Sequence, residues 1–290
     1  MESPGAVRHP FLDFEHPIVY AHRGGGVERP ENSMAAFDHA VSVGFRYLET
    51  DARLTADGVL VALHDDRLDR VSDGRGLVGE LSAAEVTSAR LLGPDGRPSQ
   101  ERVPLLEEVL TAWPQARWNL DAKDAATVEP LGDLLERLEM LERCCVGAFS
   151  DQRLGRLRQR FGPALCTVLG PREVARVRAY GFGVPLVKLA GLVAPLGLVA
   201  QVPLSYELAV PSLGWLPRQP RVSVPIVDRF FLAACRRFGI PVHVWTVNEP
   251  AHMVALLDRG VAGFMTDRPT AAAELLTSRR QWPAVAGNPD

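Results

Sequence analysis

His22-Arg23, the pair Glu49 and Asp51, and His64-Asp65 fall within one short stretch, from Ile18 to Asp66. Histidine is the side chain whose unperturbed pKa best suits proton transfer near neutrality, so His22 and His64 are candidate acid–base groups. Arg23 adds a fixed positive charge suited to an anionic ligand. Glu49 and Asp51 stand two residues apart in an apolar run. On a strand they point the same way, and two carboxylates that close repel each other unless a cation or a shared proton lies between them. Downstream, Asn119, Asp121 and Lys123 alternate in the run RWNLDAK and share one face where that run is extended. Trp245, Thr246 and Asn248 end a later apolar run, where Trp245 is either core packing or an apolar wall beside a ligand. Side chains of these types suit proton transfer on an anionic substrate.

Groups this far apart in sequence need a scaffold that gathers them. A strand is predicted over 18–21. It is followed by a loop whose Gly24 to Gly26 fail the dinucleotide-binding spacing at Arg29. Pro30-Glu31-Asn32-Ser33 opens a helix, with Ser33 or Asn32 as N-cap, and Met34, Phe37, Ala40 and Val41 recur at helical spacing. Strands are expected over 47–54 and 60–64, joined by an Asp57-Gly58 turn. The polar, glycine-bearing segment 67–102, with a short helix over 82–89, is expected to be an insertion after that third strand. Strands over 118–121, 146–149, 165–169, 199–202, 242–247 and 263–266 then alternate with helical segments. Alternation of helices with strands that are apolar on both faces argues for a parallel sheet covered by helices. About eight such units and this length fit a (β/α)8 TIM barrel, with an open doubly wound sheet as the alternative. The expected organisation is an arm over 1–17, one barrel domain over 18–278, and a tail over 279–290. In a barrel, chemistry gathers at the C-terminal ends of the strands, where the ionisable residues listed above would stand.

Eight short pieces occur in a fixed order: HRG at 22–24, PEN at 30–32, ETDARLTADG at 49–58, HDD at 64–66, DGRGLV at 73–78, NLDAK at 119–123, VWTVN at 244–248 and TDRP at 266–269. In this arrangement the chain resembles the glycerophosphodiester phosphodiesterases. The resemblance implies a barrel enzyme whose divalent cation, Ca²⁺ or Mg²⁺, is held by Glu49, Asp51 and Asp121. The family usually has Glu at the third place, so Asp121 is a shorter-armed departure. His22 and His64 are implied as the acid–base pair, and Arg23 and Lys123 as the groups that grip the phosphate. The implied reaction releases glycerol 3-phosphate and an alcohol, with a cyclic phosphate on the way. Oxygen-only donors suit a hard cation better than zinc. A lysophospholipase D-like enzyme acting on lysophospholipids is the second reading. A barrel that binds phosphorylated ligands without turnover is the third.

Bulk properties narrow the classes further. With 47% hydrophobic and 23% charged residues the chain is composed like a globular protein with a full core. Its net charge of −3 offers no broad basic field for nucleic acid. Cys144, Cys145, Cys166 and Cys235 form no zinc-type spacing and suit buried, reduced thiols. No secretory signal opens the sequence, and a cytoplasmic location is expected. The most apolar run, 185–204, is broken by Lys188, Pro195 and Pro203, so a buried barrel segment is favoured over a membrane span. Oligomeric state is not legible.

Overall fold

A computed structural model of the chain describes residues 9–14, 16–183, 195–209 and 221–282. Strand β1 (Ile18–Ala21) is buried throughout, and helix α1 (Met34–Ser42) follows the loop after it. Ser33 is the N-cap, its hydroxyl accepting the Ala36 N–H at 3.0 Å. Next come β2 (Tyr47–Leu54), β3 (Leu60–Ala62), α2 (Ala83–Ser88), β4 (Arg90–Leu92), β5 (Pro98–Arg102) and α3 (Leu106–Ala112). The chain continues through β6 (Arg117–Ala122), α4 (Val128–Arg137), β7 (Cys144–Gly147), α5 (Asp151–Phe161), β8 (Cys166–Thr167) and α6 (Pro171–Gly181). After residues 184–194 come β9 (Ala200–Pro203), β10 (Ser205–Ala209), β11 (Arg221–Pro225) and α7 (Arg229–Arg237). The last elements are β12 (Val242–Trp245), α8 (Pro250–Asp258), β13 (Gly263–Thr266) and α9 (Pro269–Ser278).

Eight strands run parallel in the order β8-β7-β6-β2-β1-β13-β12-β9. A parallel bridge between Val168 and Val199 joins the two ends, with Leu169 N–H donating to the Val199 carbonyl at 2.8 Å. The ring makes a (β/α)8 barrel, as the alternation predicts. Strand side chains alternate between the two faces. Outward residues such as Leu48, Trp118, Leu120, Val146 and Phe264 pack in one large cluster with residues of the helices. Inward residues such as Tyr20, Tyr47, Cys145, Cys166 and Met265 form a second. Phe11, from the expected irregular arm, is fully buried in that inner cluster, with its ring edge-on to Tyr47 at 5.3 Å.

The expected third barrel strand is not one. β3 pairs antiparallel with β2, so it is the return limb of a hairpin. β2 runs through Leu54, where it faces Leu60. The chain then turns at Thr55–Val59 and comes back until Leu63 N–H donates to the Asp51 carbonyl at 3.1 Å. Thus the insertion starts at the end of β2, and His64 lies in the loop after β3 rather than at a barrel strand end. The insertion has its own apolar cluster, including Val61, Leu68, Val86 and Leu91, and a β4–β5 hairpin that the sequence does not announce. The predicted strand over 199–202 is β9, while the β10–β11 hairpin beyond it is unannounced. Half of the apolar run 185–204, residues 185–194, lies outside the described residues; β9 forms near its end. Among the described residues, no helix is long and apolar enough to cross a membrane.

Candidate active site

At the C-terminal end of β1 the chain turns sharply through His22, Arg23 and Gly24. Arg23 and Gly24 have positive φ, 52° and 76°, and a Cβ at Gly24 would lie 2.7 Å from the Ala36 Cβ. The glycine is therefore required for both the turn and its close packing on α1. This turn aims the Arg23 N–H at Glu49 Oε2, 2.9 Å away. Glu49 and Asp51, inward residues of β2, are buried. The register pairs Glu49 with Asn119 and Asp51 with Asp121 on the neighbouring β6. His22, Arg23, Glu49, Asp51, His64, Asn119, Asp121, Lys123 and Trp245 all line one pocket at this end of the barrel. Every site residue expected from sequence is among them.

The two histidines share a local geometry. His22 Nδ1 lies 2.6 Å from Asp267 Oδ1, and His64 Nδ1 lies 2.6 Å from Asp65 Oδ1. A carboxylate at Nδ1 favours the tautomer that donates there and leaves Nε2 free to exchange protons. Asp267, just past β13, is itself held by Asn248, whose side chain donates to Oδ2 and accepts the Asp267 N–H, each at 2.8 Å. Their surroundings differ. Burial works against a charged His22, yet the Glu49 and Asp267 carboxylates outweigh it and raise its pKa. Burial lowers that of His64, which Asp51 and Asp65 offset only in part.

The cations are already engaged. Lys123 Nζ lies 2.8 Å from Asp51 Oδ1 and 2.7 Å from Asp121 Oδ2, between the two aspartates. Arg23 Nε lies 3.3 Å from Asp51 Oδ2, and its Nη1 donates to Glu31 at 3.1 Å. Asn32 donates to Asp51 Oδ2 at 3.0 Å and is oriented by the Thr50 hydroxyl. Burial, then the Asp51 charge, pushes Glu49 above the ordinary carboxylate range. Burial would raise Asp51 too, but Lys123 and Arg23 hold it below that range. Burial also raises Asp121, against the pull of Lys123.

Among the described residues, no three acidic, histidine or cysteine side chains form a ready cation cage. The donors nonetheless fit a hard divalent ion in type. Asp121 Oδ1 is buried without a hydrogen-bond partner, and the raised Glu49 marks a crowd of negative charge. Three carboxylates facing two cations would also repel an anionic diester unless further positive charge is present. The rest of the lining is largely apolar and includes Ala148, Phe149, Val168, Leu169, Val174 and Trp245. Trp245 meets the Phe149 ring edge-on at 5.8 Å.

Sequence reasoning gave no supporting role in the site to Asp65, Asp267, Glu31 or Asn32, the last read only as a possible N-cap, and named Asn248 at a strand end without a partner. Each lies inside a quoted motif (HDD, TDRP, VWTVN or PEN), and that was the available signal. Which histidine or cation each supports depends on contacts between segments up to 245 residues apart.

Residues 22–271 match the model of the glycerophosphoryl diester phosphodiesterase family. The chain is 36% identical over 289 residues to a Mycobacterium tuberculosis (strain ATCC 25618 / H37Rv) protein named Probable glycerophosphodiester phosphodiesterase 2, covering 97% of this chain and 99% of that one. It is 27% identical over 286 residues to Lysophospholipase D GDPD1 of Homo sapiens, covering 88% and 85%. The glycerophosphoryl diester phosphodiesterase domain of an uncharacterized Mycobacterium tuberculosis protein superposes with a TM-score of 0.72 at 19% identity, covering 90% and 99%. An Oleispira antarctica phosphodiesterase, solved in complex with the product sn-glycerol-3-phosphate, gives 0.68 at 19% identity, covering 91% and 97%. The two structures speak for the shared fold.

Proposed function

The chain belongs to the glycerophosphoryl diester phosphodiesterase family of phosphodiester hydrolases, and we propose that it cleaves glycerophosphodiesters to glycerol 3-phosphate and an alcohol with His22 and His64 as the acid–base pair. The observation that carries this reading is the pair of histidines, each backed by a carboxylate at Nδ1, lining one pocket with Arg23 and Lys123. The hydroxyl next to the phosphate on the glycerol attacks phosphorus and forms a cyclic phosphate. One histidine takes the hydroxyl proton while the other protonates the departing alcohol. Water then opens the ring with those roles exchanged. Arg23 and Lys123 hold the phosphoryl oxygens, where negative charge grows in the transition state.

Glu49, Asp51 and Asp121 are the residues we propose to hold a divalent ion, Ca²⁺ or Mg²⁺. Such an ion supplies charge neutralisation at the phosphoryl group. The buried, unpartnered Asp121 Oδ1 and the oxygen-only donor set support this assignment. Glycerol 3-phosphate release from glycerophosphocholine tests the whole reading. It should stop with chelator and return with Ca²⁺ or Mg²⁺. His22→Ala and His64→Ala should each lose about 100- to 10,000-fold in kcat, the range for a lost acid–base group. Calorimetry should show ion binding that weakens in Asp121→Asn. Near-normal rates in either histidine variant would remove that residue from the mechanism.

The apolar wall favours a second reading, in which the substrate keeps one acyl chain. A higher kcat/KM on lysophosphatidylcholine than on glycerophosphocholine would support it.

A further inference from the structure

Arg70 lies in the insertion after β2, outside the pocket lining, and its side chain is half exposed. Its guanidinium nevertheless grips two carboxylates at once. Nε and Nη2 donate to Asp65 Oδ2 and Oδ1 at 2.6 and 2.9 Å. Nη1 and Nη2 donate to Glu31 Oε2 and Oε1 at 2.9 and 2.8 Å. Each carboxylate has a second duty. Asp65 Oδ1 is the oxygen 2.6 Å from His64 Nδ1, and Glu31 Oε1 is the oxygen that Arg23 Nη1 reaches at 3.1 Å. Glu31 comes from the loop before α1, whereas Asp65 comes from the loop after β3. Those two segments sit on opposite sides of β2 in the sequence, and Arg70 bridges them.

We propose that Arg70 is a positioning residue, locking the His64 imidazole and the Arg23 guanidinium into one frame through Asp65 and Glu31. The inference rests on the hydrolase reading above. Single exposed ion pairs contribute little, but a network of bidentate arginine–carboxylate pairs is the exception. Without Arg70 two neighbouring carboxylates lose their common counter-charge and splay apart. The histidine and the arginine then lose their orienting partners together. A planar fork is needed for this, so lysine cannot replace it.

The test compares wild type, Arg70→Ala, Arg70→Lys, Asp65→Asn and the Asp65→Asn/Arg70→Ala double variant, with kcat and KM measured on glycerophosphocholine. Arg70→Ala should lose about 10- to 100-fold in kcat/KM, the loss divided between a lower kcat from His64 and a higher KM from Arg23. Arg70→Lys should recover only a few-fold. The double variant should be no worse than the poorer single one, because both changes break the same frame. A readout without substrate separates this proposal from the hydrolase reading: ¹⁵N NMR of the His64 ring should show one Nδ1–H tautomer in wild type and a mixture in Arg70→Ala. Absence of wild-type turnover would overturn the hydrolase reading, while the NMR comparison would still judge Arg70. Arg70→Ala within twofold of wild type in kcat and KM, unchanged His64 resonances, or full additivity in the double variant would overturn the role of Arg70. Should Arg70→Ala melt far below wild type, Arg70→Lys decides on the same readouts, and wild-type kinetics in it overturns the proposal.

Discussion

His22 and His64 arrive at one pocket by unlike routes, one on the turn ending β1 and the other on the loop after β3, yet each has a carboxylate at Nδ1. An orienting carboxylate fixes both ring rotation and tautomer, and an amide in its place can present a donor where an acceptor is needed. Asp267→Asn should therefore lower kcat by about 100-fold or more while leaving the melting temperature close to wild type. Kinetics beside a thermal melt check this, and unchanged kcat would make Asp267 a structural residue only. At this scale the sequence exposed the candidate groups that line the pocket. Histidines, carboxylates and cations were visible as types, and alternation showed which of them share a face. Their supporting partners were not visible, because Asp65 and Asp267 gain meaning only from the atoms they touch.

Among the elements, the hairpin of β2 and β3 was misread for a physical reason. Residues 60–64, LVALH, look like a strand buried on both faces, as barrel strands are. β3 is indeed buried, but it runs antiparallel beside β2, and Val61 packs in the cluster of the insertion. Apolar pattern reports burial and says nothing of strand direction. Another joint is Glu173 at the start of α6. It accepts the Gly170 N–H at 2.7 Å, the Leu196 N–H at 2.6 Å and the Arg158 guanidinium at 2.9 Å, tying the α6 end to the segment entering β9. Burial raises the Glu173 pKa, but these donors outweigh it and hold the pKa below its ordinary value. A carboxylate depressed in the folded state stabilises at pH above its unfolded pKa, about 4.3, and that contribution fades as pH falls through the folded value. Glu173→Gln should cost about 1–3 kcal/mol at pH 7, with the gap to wild type narrowing below about pH 4. Denaturant melts at several pH values check this; a gap independent of pH would refute the ionic contribution.

Across the whole molecule, the pocket sits at the C-terminal ends of the barrel strands and a plug closes the other end. The Phe11 carbonyl accepts from the Tyr47 hydroxyl at 2.6 Å, and Arg117 donates to the Asp13 carbonyl at 2.9 Å. Phe11→Ala should cost about 3–5 kcal/mol of stability, as for other buried aromatic truncations, with kcat unchanged. Calorimetric melting and steady-state rates check this, and a kcat falling with stability would show that the plug reaches the site. The sequence by itself determined the alternation of strands and helices, the candidate groups and their motif order, because the 2.0 and 3.6 residue periods and the chemical types are local properties of a chain. It could not determine that residues near Phe11 cap the barrel, that β3 turns back, that Lys123 lies between Asp51 and Asp121, or that Arg70 joins Asp65 to Glu31. Those relations hold between segments whose distance is set only when the ring of strands closes, and a contact has no signature in the order of residues until folding brings its two sides together.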